Sequence, residues 1–573
     1  MKKIIELLRG LSPRSTLIAW LVVWFVINII QGTFSQLVDD EAYYHIYAQD
    51  LAWGYFDHPP FLALLIWLGE AVCGVTDIGL RLFVIMLQPL YIWIFWKTIE
   101  PKGATKSDVS LYMIISASIV LMQAYGFIAV PDAPLMFTVA LFLWAYKGFL
   151  EDRRMAWLWL AISMAAMAYS KYQGALVVIF AIALNYKLLL NPKFYLSGVV
   201  ALALFSPHLL WQYNNDFPSF VYHLSERNRA FEWSSVTEFV LNLIAVFNPF
   251  FVPIWVQAYK KIKAQSLYER ALKWIPIATF IFFLFSSVRG RTQPQWMIAA
   301  TYGMVWILFT YARDHKRTRQ YIMRMGLVVI AIMAILRVEI IFNIFGISAK
   351  QKMSGNKEHY GAIYDVAVSR PVIFKGSYAI AAKYIFYTDG EAYCSPSLSY
   401  RTHQWQFVDD SKFVGQEVLV EYTPTDEERQ ADPEKYKTIN YPDRGAFHYY
   451  LLDSYTPLKA VEISTVEPLP HSMKGGERVD FTLQIENPYP YDLISDEDVV
   501  RLLMIFRSAD KSFESCNLGN GVEMPGRGAV SKYDFSIEIP NELPKGEYQV
   551  GFSLISKQMN GWFSTPPQVI TIE

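Results

Sequence analysis

The chain has 573 residues, of which 53% are hydrophobic, and it carries 17 Trp and 38 Phe. Its formal net charge is -1, and no Lys/Arg run resembles a nucleic-acid-binding arm, so we exclude that class of partner. Three cysteines, Cys73, Cys394 and Cys516, form no CxxC pair, which leaves room for at most one bridge, Cys394 with Cys516, and indicates no zinc site. The apolar residues occur in blocks of membrane-spanning length, which predicts an integral membrane protein.

Twelve apolar stretches lie between residues 17 and 345, and the first resembles a retained signal anchor. If all twelve crossed the membrane from a basic cytoplasmic N-terminus, the basic loop 97–106 would lie outside, against the positive-inside rule. The stretch 59–76 begins with two prolines and contains Glu70, so we predict an interfacial or re-entrant helix in the first outer loop. About eleven spans remain, and the C-terminal half then lies on the outer side.

Polar and ionisable residues, whose burial in a membrane is energetically unfavourable, cluster at the predicted outer ends of these spans. Ionisable groups at membrane depth are expensive, so their convergence indicates a functional site. Cations there would hold a departing phosphate, while a carboxylate would take the proton of an acceptor hydroxyl. The candidates are Asp40, Glu41, Tyr44, Asp57, His58, Asp132, Lys171, His208, Arg227, Arg289 and Arg291.

Each candidate also has a structural interpretation. The first-loop carboxylates would be solvated loop residues, Asp132 would be the N-cap of the following span, and Lys171 would extend its ammonium group to the interface. His58 would cap the helix that begins at the following prolines. These alternatives stay open at the level of sequence.

The segment Asp40-Glu41-Ala42-Tyr43-Tyr44, followed by Tyr55-Phe56-Asp57-His58-Pro59-Pro60, resembles the first outer loop of a known superfamily. This is the superfamily of protein O-mannosyltransferases and aminoarabinose transferases, which has the GT-C fold. Asp132, Ser170-Lys171 and Ser206-Pro207-His208 resemble further parts of its bacterial members. The resemblance covers roughly residues 15 to 310.

The resemblance implies an inverting glycosyltransferase that uses a polyprenyl-phosphate sugar, undecaprenyl phosphate in bacteria. It implies Asp40 as the catalytic base with Asp132 near it. It also implies phosphate contacts from His58, Lys171 and the pair Arg289/Arg291. Aminoarabinose transferases carry Arg and Lys where this chain has Tyr43 and His58, so the resemblance does not extend to that donor sugar. We expect no obligatory cofactor, and a divalent cation among the carboxylates is the alternative.

The sequence divides into a membrane domain, 1–346, and two aqueous domains, 347–455 and 456–573. Short apolar runs in the first aqueous domain predict a small periplasmic α/β unit. In the second, the alternation of Val479, Phe481, Leu483 and Ile485 is typical of strands and predicts an immunoglobulin-like β-sandwich. These domains would dock the acceptor or cover the active site.

Two other functions stay open beside a transferase. A transporter or flippase of lipid-linked sugars would also collect charges in a membrane cavity, but its site usually lies near the midplane. A glycan ligase or polymerase would use a diphosphate-linked donor. For the transferase we expect a lipid, glycan or protein acceptor, contact with membrane lipids, and a monomer in a bacterial inner membrane with its C-terminal domains in the periplasm.

Overall fold

The computed structural model describes residues 12–222, 233–288, 290–441, 444–493, 500–508, 512–520, 523–564 and 566–573. The chain separates into two compact units, Met1–Gly355 and Asn356–Glu573. The first unit is helical, and the second combines three sheets with a few short helices.

The α-helices of the first unit vary widely in length. They are α1 (Pro13–Phe34), α2 (Asp39–Gln49), α3 (Phe61–Cys73), α4 (Asp77–Ile99), α5 (Lys106–Ala117), α6 (Val120–Ala124), α7 (Asp132–Leu150), α8 (Ala156–Ser170), α9 (Gly174–Leu184), α10 (Pro192–Asn214), α11 (Pro218–Val221), α12 (Trp233–Val246), α13 (Val252–Lys261), α14 (Leu267–Ser287), α15 (Ile298–Asp314), α16 (Lys316–Phe342) and α17 (Ile347–Lys350).

Within the described residues, six helices are long and apolar enough to cross a membrane: α1, α4, α7, α10, α14 and α16. Helices α3, α8, α9 and α12 are apolar but shorter. The first unit is therefore a multi-pass membrane unit, and the total of about eleven spans stays a prediction. Helix α3 has 13 residues, or about 20 Å, which is less than the hydrocarbon thickness of a bilayer.

One apolar stretch, 109–130, does not form the single helix expected of a span. Helix α5 ends at Ala117, and the short α6 follows after a break. The side chain of Gln123 donates to the carbonyl oxygen of Ala117 at 2.6 Å, and Ser118 Oγ donates to the carbonyl oxygen of Ile115. These side-chain bonds satisfy carbonyl groups that a continuous helix would otherwise use. Residues 125–131 then lead in an irregular path to α7.

The second unit begins at Asn356, not at residue 347. The carboxylate of Glu339, near the end of α16, accepts hydrogen bonds from the backbone N–H groups of Phe345, Ile347 and Ser348. A carboxylate that collects several backbone donors fixes the segment that carries them. Residues 345–348 therefore belong to the end of the last long helix.

The second unit contains a five-stranded mixed sheet that begins after helix α18 (Asn356–Ala367). Its strands are β1 (Val372–Phe374), β2 (Ala392–Cys394), β3 (Val418–Glu421), β4 (Lys437–Tyr441) and β5 (Gly445–Leu452), in the order β2-β1-β3-β5-β4. Strand β1 pairs in parallel with β2 and β3, and helix α19 (Tyr378–Thr388) connects β1 to β2. Cys394 is a free thiol in this sheet.

Two further sheets share one hydrophobic core and form a sandwich. Their strands are β6 (Glu462–Thr465), β7 (Ser472–Met473), β8 (Arg478–Glu486), β9 (Arg501–Arg507), β10 (Phe513–Asn520), β11 (Val530–Glu538), β12 (Gly546–Ile555) and β13 (Gln568–Ile572). The sheet orders are β10-β9-β12-β13-β7 and β11-β8-β6. Cys516 on β10 is free, so the bridge with Cys394 that the sequence allowed is not formed.

Candidate active site

Asp40 lies in the first turn of α2, and its side chain is exposed. Asp39 and Glu41 share this turn, where the positive end of the helix dipole favours carboxylates. Successive residues of a helix point about 100° apart, so three adjacent carboxylates meet different surroundings. The turn therefore presents Asp40 to solvent while its neighbour Glu41 turns into the protein.

Glu41 is fully buried and bound to Arg81 of α4. The guanidinium donates from Nε to Oε1 at 2.7 Å and from Nη2 to Oε2 at 2.5 Å. The same carboxylate accepts the backbone N–H of Ala129 at 2.8 Å and that of Val38 at 3.1 Å. Both oxygens of Glu41 therefore bind protein groups that fix α2, and the substrate contact expected of Glu41 stays a prediction.

Asp132 and Lys171 form a second buried ion pair. Lys171 Nζ lies 2.8 Å from each oxygen of Asp132, and both side chains are nearly inaccessible to solvent. Asp132 is the first residue of α7, and Lys171 follows directly after α8, so the packing of these helices brings the charges together. Within the described structure the ammonium group is held by Asp132, so a direct phosphate contact from Lys171 stays a prediction.

Tyr125, in the irregular segment before α7, connects Asp40 with Asp132. The negative charges of both carboxylates act on its phenol, so the two groups occupy one neighbourhood. Asp40 is the exposed member, and Asp132 is the member neutralised by a cation. A base that accepts a proton from a substrate must be accessible, and Asp40 meets this requirement.

Aromatic residues line the loop after α2. The hydroxyl of Tyr47 donates to the buried carboxylate of Asp57, and the ring of Tyr47 stacks on that of Tyr55 at 4.2 Å. The rings of Tyr44 and His58 lie 5.7 Å apart; Tyr44 is buried, and His58 is half-buried. Asp57 thus supports the loop from inside, and His58 lies half-buried beside Tyr44 of α2.

His208 joins this loop to α10. It is buried, and its Nδ1 lies 2.7 Å from the carbonyl oxygen of Trp53, so Nδ1 carries the proton. Its Nε2 then accepts the hydroxyl hydrogen of Tyr172 at 2.8 Å. With both ring nitrogens bound to protein groups, His208 positions the loop, and the substrate contact expected of it stays a prediction.

Of the three arginines predicted in the later loops, Arg291 belongs to the described part of the chain. Arg291 is exposed and pairs with Glu238 of α12, with 2.5 Å between Nη2 and Oε1. Arg227 and Arg289 lie outside the described residues. The phosphate contacts assigned to these three arginines stay predictions.

Arg81, His45 and Arg337 were not among the residues that the sequence interpretation selected. Arg81 holds Glu41 and also donates to the carbonyl oxygens of Ser35 and Gln36. His45 Nδ1 lies 2.8 Å from Glu70 and so ties α2 to α3. Arg337 lies in the last long apolar helix. Arg81 and Arg337 are ionisable residues within long apolar helices, which is the signal that could have revealed them.

No group of three or more His, Cys, Asp or Glu within the described part of the chain is arranged to hold a metal ion. The carboxylates considered for such an ion have separate surroundings. Glu41 faces Arg81, Asp132 faces Lys171, and Asp57 faces a tyrosine hydroxyl.

Parts of the chain are similar to known proteins. Residues 57–211 match the family described as dolichyl-phosphate-mannose-protein mannosyltransferase. The chain is 24% identical over 331 residues to the lipid A galacturonosyltransferase RgtD of Rhizobium johnstonii, an alignment that covers 52% of this chain and 66% of that protein.

Solved structures of ArnT from Cupriavidus metallidurans have the same fold. The apo structure matches with a TM-score of 0.56 and 13% identity, and the structure bound to undecaprenyl phosphate matches with 0.54 and 14%. Each match covers 75% of this chain and 97% of the other. Together with the motifs of the first loop, these matches show that the chain has the GT-C fold and is similar to membrane glycosyltransferases of the superfamily of protein O-mannosyltransferases and aminoarabinose transferases.

Proposed function

We propose that the protein transfers a single sugar from a polyprenyl phosphate to a lipid acceptor, with inversion at the anomeric carbon. The matching family is named for a dolichyl-phosphate sugar, and a solved relative binds undecaprenyl phosphate. The relative from Rhizobium johnstonii is named for lipid A as its acceptor. In a bacterial chain the donor would be an undecaprenyl-phosphate sugar, and a glycan or protein acceptor is the alternative.

The observation that carries this proposal is the exposed Asp40 beside the buried pair of Asp132 and Lys171. In the proposed reaction, Asp40 takes the proton of the acceptor hydroxyl as its oxygen attacks the anomeric carbon. The bond from that carbon to the phosphate oxygen breaks on the opposite face, and the electron pair leaves with the polyprenyl phosphate. Phosphate is a good leaving group, so this step needs cationic stabilisation but no acid.

We also propose the outer face of a bacterial inner membrane as the place of transfer. The basic loops between predicted spans favour a cytoplasmic side opposite to the loop that carries Asp40. The aqueous C-terminal unit would then be periplasmic. The supply of cationic side chains favours a reaction without an obligatory divalent ion. We also propose that the enzyme is a monomer.

The test is single-turnover transfer in nanodiscs from a panel of undecaprenyl-phosphate sugars to membrane lipid acceptors. The Asp40→Asn variant removes the base and keeps the shape, so we expect transfer to slow by about a hundredfold or more. Asp39→Asn is the matched control, because it removes the neighbouring exposed carboxylate. We expect its rate to stay within a few-fold of wild type.

Other outcomes separate the alternatives. Undiminished transfer by a folded Asp40→Asn protein would keep the enzyme class and reject the base. Translocation of lipid-linked sugars without transfer would favour a flippase. Transfer only from diphosphate-linked donors would favour a ligase or polymerase. Transfer that survives EDTA would support metal independence.

A further inference from the structure

Arg337 places a positive charge inside the last long apolar helix. It lies five residues before the end of α16 at Phe342, which corresponds to about 8 Å along the helix axis. Around it run apolar residues such as Ile335, Leu336 and Val338, whose side chains are exposed as if to lipid. A charge at this depth is costly and points to function unless a partner neutralises it.

The neighbours of Arg337 are neutral. Its Nη2 donates to Asn28 Oδ1 at 2.9 Å and to Gln123 Oε1 at 2.8 Å, and the guanidinium lies 4.8 Å from the ring centre of Phe127. The amide nitrogen of Asn28 donates in turn to Gln88 and to the carbonyl oxygen of Gly126. The amide oxygens thus orient the guanidinium but do not compensate its charge.

This contrasts with the other buried cations of the first unit. Arg81 is paired with Glu41, and Lys171 is paired with Asp132. Among the described residues no carboxylate forms an ion pair with Arg337, and its buried Nη1 has no hydrogen-bond acceptor. A buried donor without an acceptor costs on the order of 1–3 kcal/mol, and an uncompensated charge adds to that cost.

The segment that holds Arg337 also belongs to the candidate active site. Gln123 and Phe127 flank Tyr125 in the chain. The phenol of Tyr125 interacts electrostatically with both Asp132 and Asp40. Two residues beyond Phe127, the backbone N–H of Ala129 donates to Glu41. Asn28 lies near the end of α1, which leads into α2. The unpaired cation therefore lies at the same end of the membrane unit as the proposed base.

We propose that Arg337 binds the phosphate group of the polyprenyl-phosphate donor, with Nη1 as the donor to a phosphate oxygen. The ligand brings its own anion to membrane depth on a lipid tail, so it supplies the acceptor and the charge that this site lacks. Arg337 matches a phosphate geometrically, because a guanidinium offers several fixed donors. This inference rests on the proposed function, since it assigns a residue to that donor.

The experiment compares two lipids, undecaprenyl phosphate and the uncharged undecaprenol, binding to the full-length protein in nanodiscs. Arg337→Gln removes the charge, and we expect it to weaken binding of the phosphate by about tenfold or more while leaving binding of the alcohol unchanged. The matched control is Arg324→Gln, which removes an exposed charge from the same helix and should preserve the wild-type preference. A purely structural role for Arg337 would change both lipids alike.

If the Arg337→Gln protein prefers the phosphate as strongly as wild type does, and wild type still transfers sugar, the inference about Arg337 is wrong and the proposed function stands. Absence of any preference in wild type would overturn the proposed donor together with it. If Arg337→Gln does not fold, Arg337→Lys carries the test, because it keeps the charge while losing the planar donors. Binding of the phosphate should then weaken while binding of the alcohol stays unchanged, and no change for the phosphate, or an equal change for both lipids, would overturn the inference.

Discussion

The pair of Asp132 and Lys171 shows how the environment of one residue decides its role. Both charges are buried, so each depends on the other for compensation. We expect Lys171→Met to destabilise the protein by about 3–5 kcal/mol, because it leaves the carboxylate of Asp132 unpaired. Thermal unfolding of the purified protein measures this cost, and single-turnover transfer measures the accompanying loss of activity.

The double variant Asp132→Asn with Lys171→Met separates stability from chemistry. It removes both charges, so most of the lost stability should return. Transfer should remain impaired, since the charges next to Asp40 are gone. Recovery of transfer together with stability would show that the pair serves the fold only. A single Lys171→Met variant as stable as wild type would contradict the buried pair itself.

Sequence alone singled out Asp40, Asp132 and Lys171 but could not predict that the last two bind each other. They are 39 residues apart, and their contact depends on how α7 packs against α8. Glu41, like Asp40, follows the first span, and sequence assigned it a substrate contact. Its burial depends on Arg81, 40 residues later in the chain. Partner choice at such distances is a tertiary property that local patterns do not contain.

At the scale of elements, the loop after α2 is held against α10 by a close approach at Gly54. A Cβ at this position would collide with the indole of Trp211 and would lie 2.9 Å from Nδ1 of His208. We expect Gly54→Ala to push the loop away from α10, to destabilise the protein by roughly 1–3 kcal/mol, and to slow transfer. Thermal unfolding and transfer rates test both effects.

Gly198 is the matched control for this change. It lies in α10, the same helix as Trp211, and an added Cβ meets nothing within 4 Å. Alanine is the better helix former, so Gly198→Ala should leave transfer unchanged and stabilise the helix by about 0.5–1 kcal/mol. A Gly54→Ala protein that behaves like Gly198→Ala would show that the loop position does not matter for activity.

Sequence patterns located most elements but not their breaks. The alternation around residues 479–485 lies in β8, and the stretch 59–76 contains the short helix α3. The sequence did not predict the break between α5 and α6, because two polar residues, Ser118 and Gln123, do not change the apolar character of the stretch 109–130. Their side chains nevertheless bind carbonyl groups there, and the resulting irregular segment carries the neighbours of Asp132.

The membrane unit is apolar on the outer faces of its long helices, and its largely apolar core also encloses several charged side chains. Large apolar side chains such as Val23, Val199 and Ile335 are exposed, while Arg81 and Glu41 are buried. Soluble domains show the opposite trend, so this unit requires lipid as its solvent. In lipid, a charge that is paired with an opposite charge, such as Arg81 with Glu41, can stabilise the fold. A charge without such a pair, such as that of Arg337, can instead bind an anionic ligand, as we propose.

The second unit contains a buried cation of its own, for which we predict a pH dependence of stability. Lys375 follows β1, and its Nζ donates to the carbonyl oxygen of Lys557 at 2.6 Å. Burial lowers the pKa of Lys375 from 10.5 to about 8, although Glu421 and Glu428 act in the opposite direction. The unfolded chain therefore binds a proton between these two values that the folded unit has lost.

Above the unfolded pKa of 10.5, Lys375 is neutral in both states and does not oppose folding. As the pH falls from there to the folded pKa of about 8, protonation favours the unfolded chain, so the free energy of unfolding decreases. We expect the second unit to gain on the order of 1 kcal/mol relative to Lys375→Met as the pH rises from about 8 to about 9.5. Hydrogen exchange of the β1 and β3 amides in the full-length protein measures this difference locally, and subtracting the variant cancels the titration of other groups. A constant difference between wild type and variant across that range would mean that the Lys375 ammonium stays protonated in the folded unit.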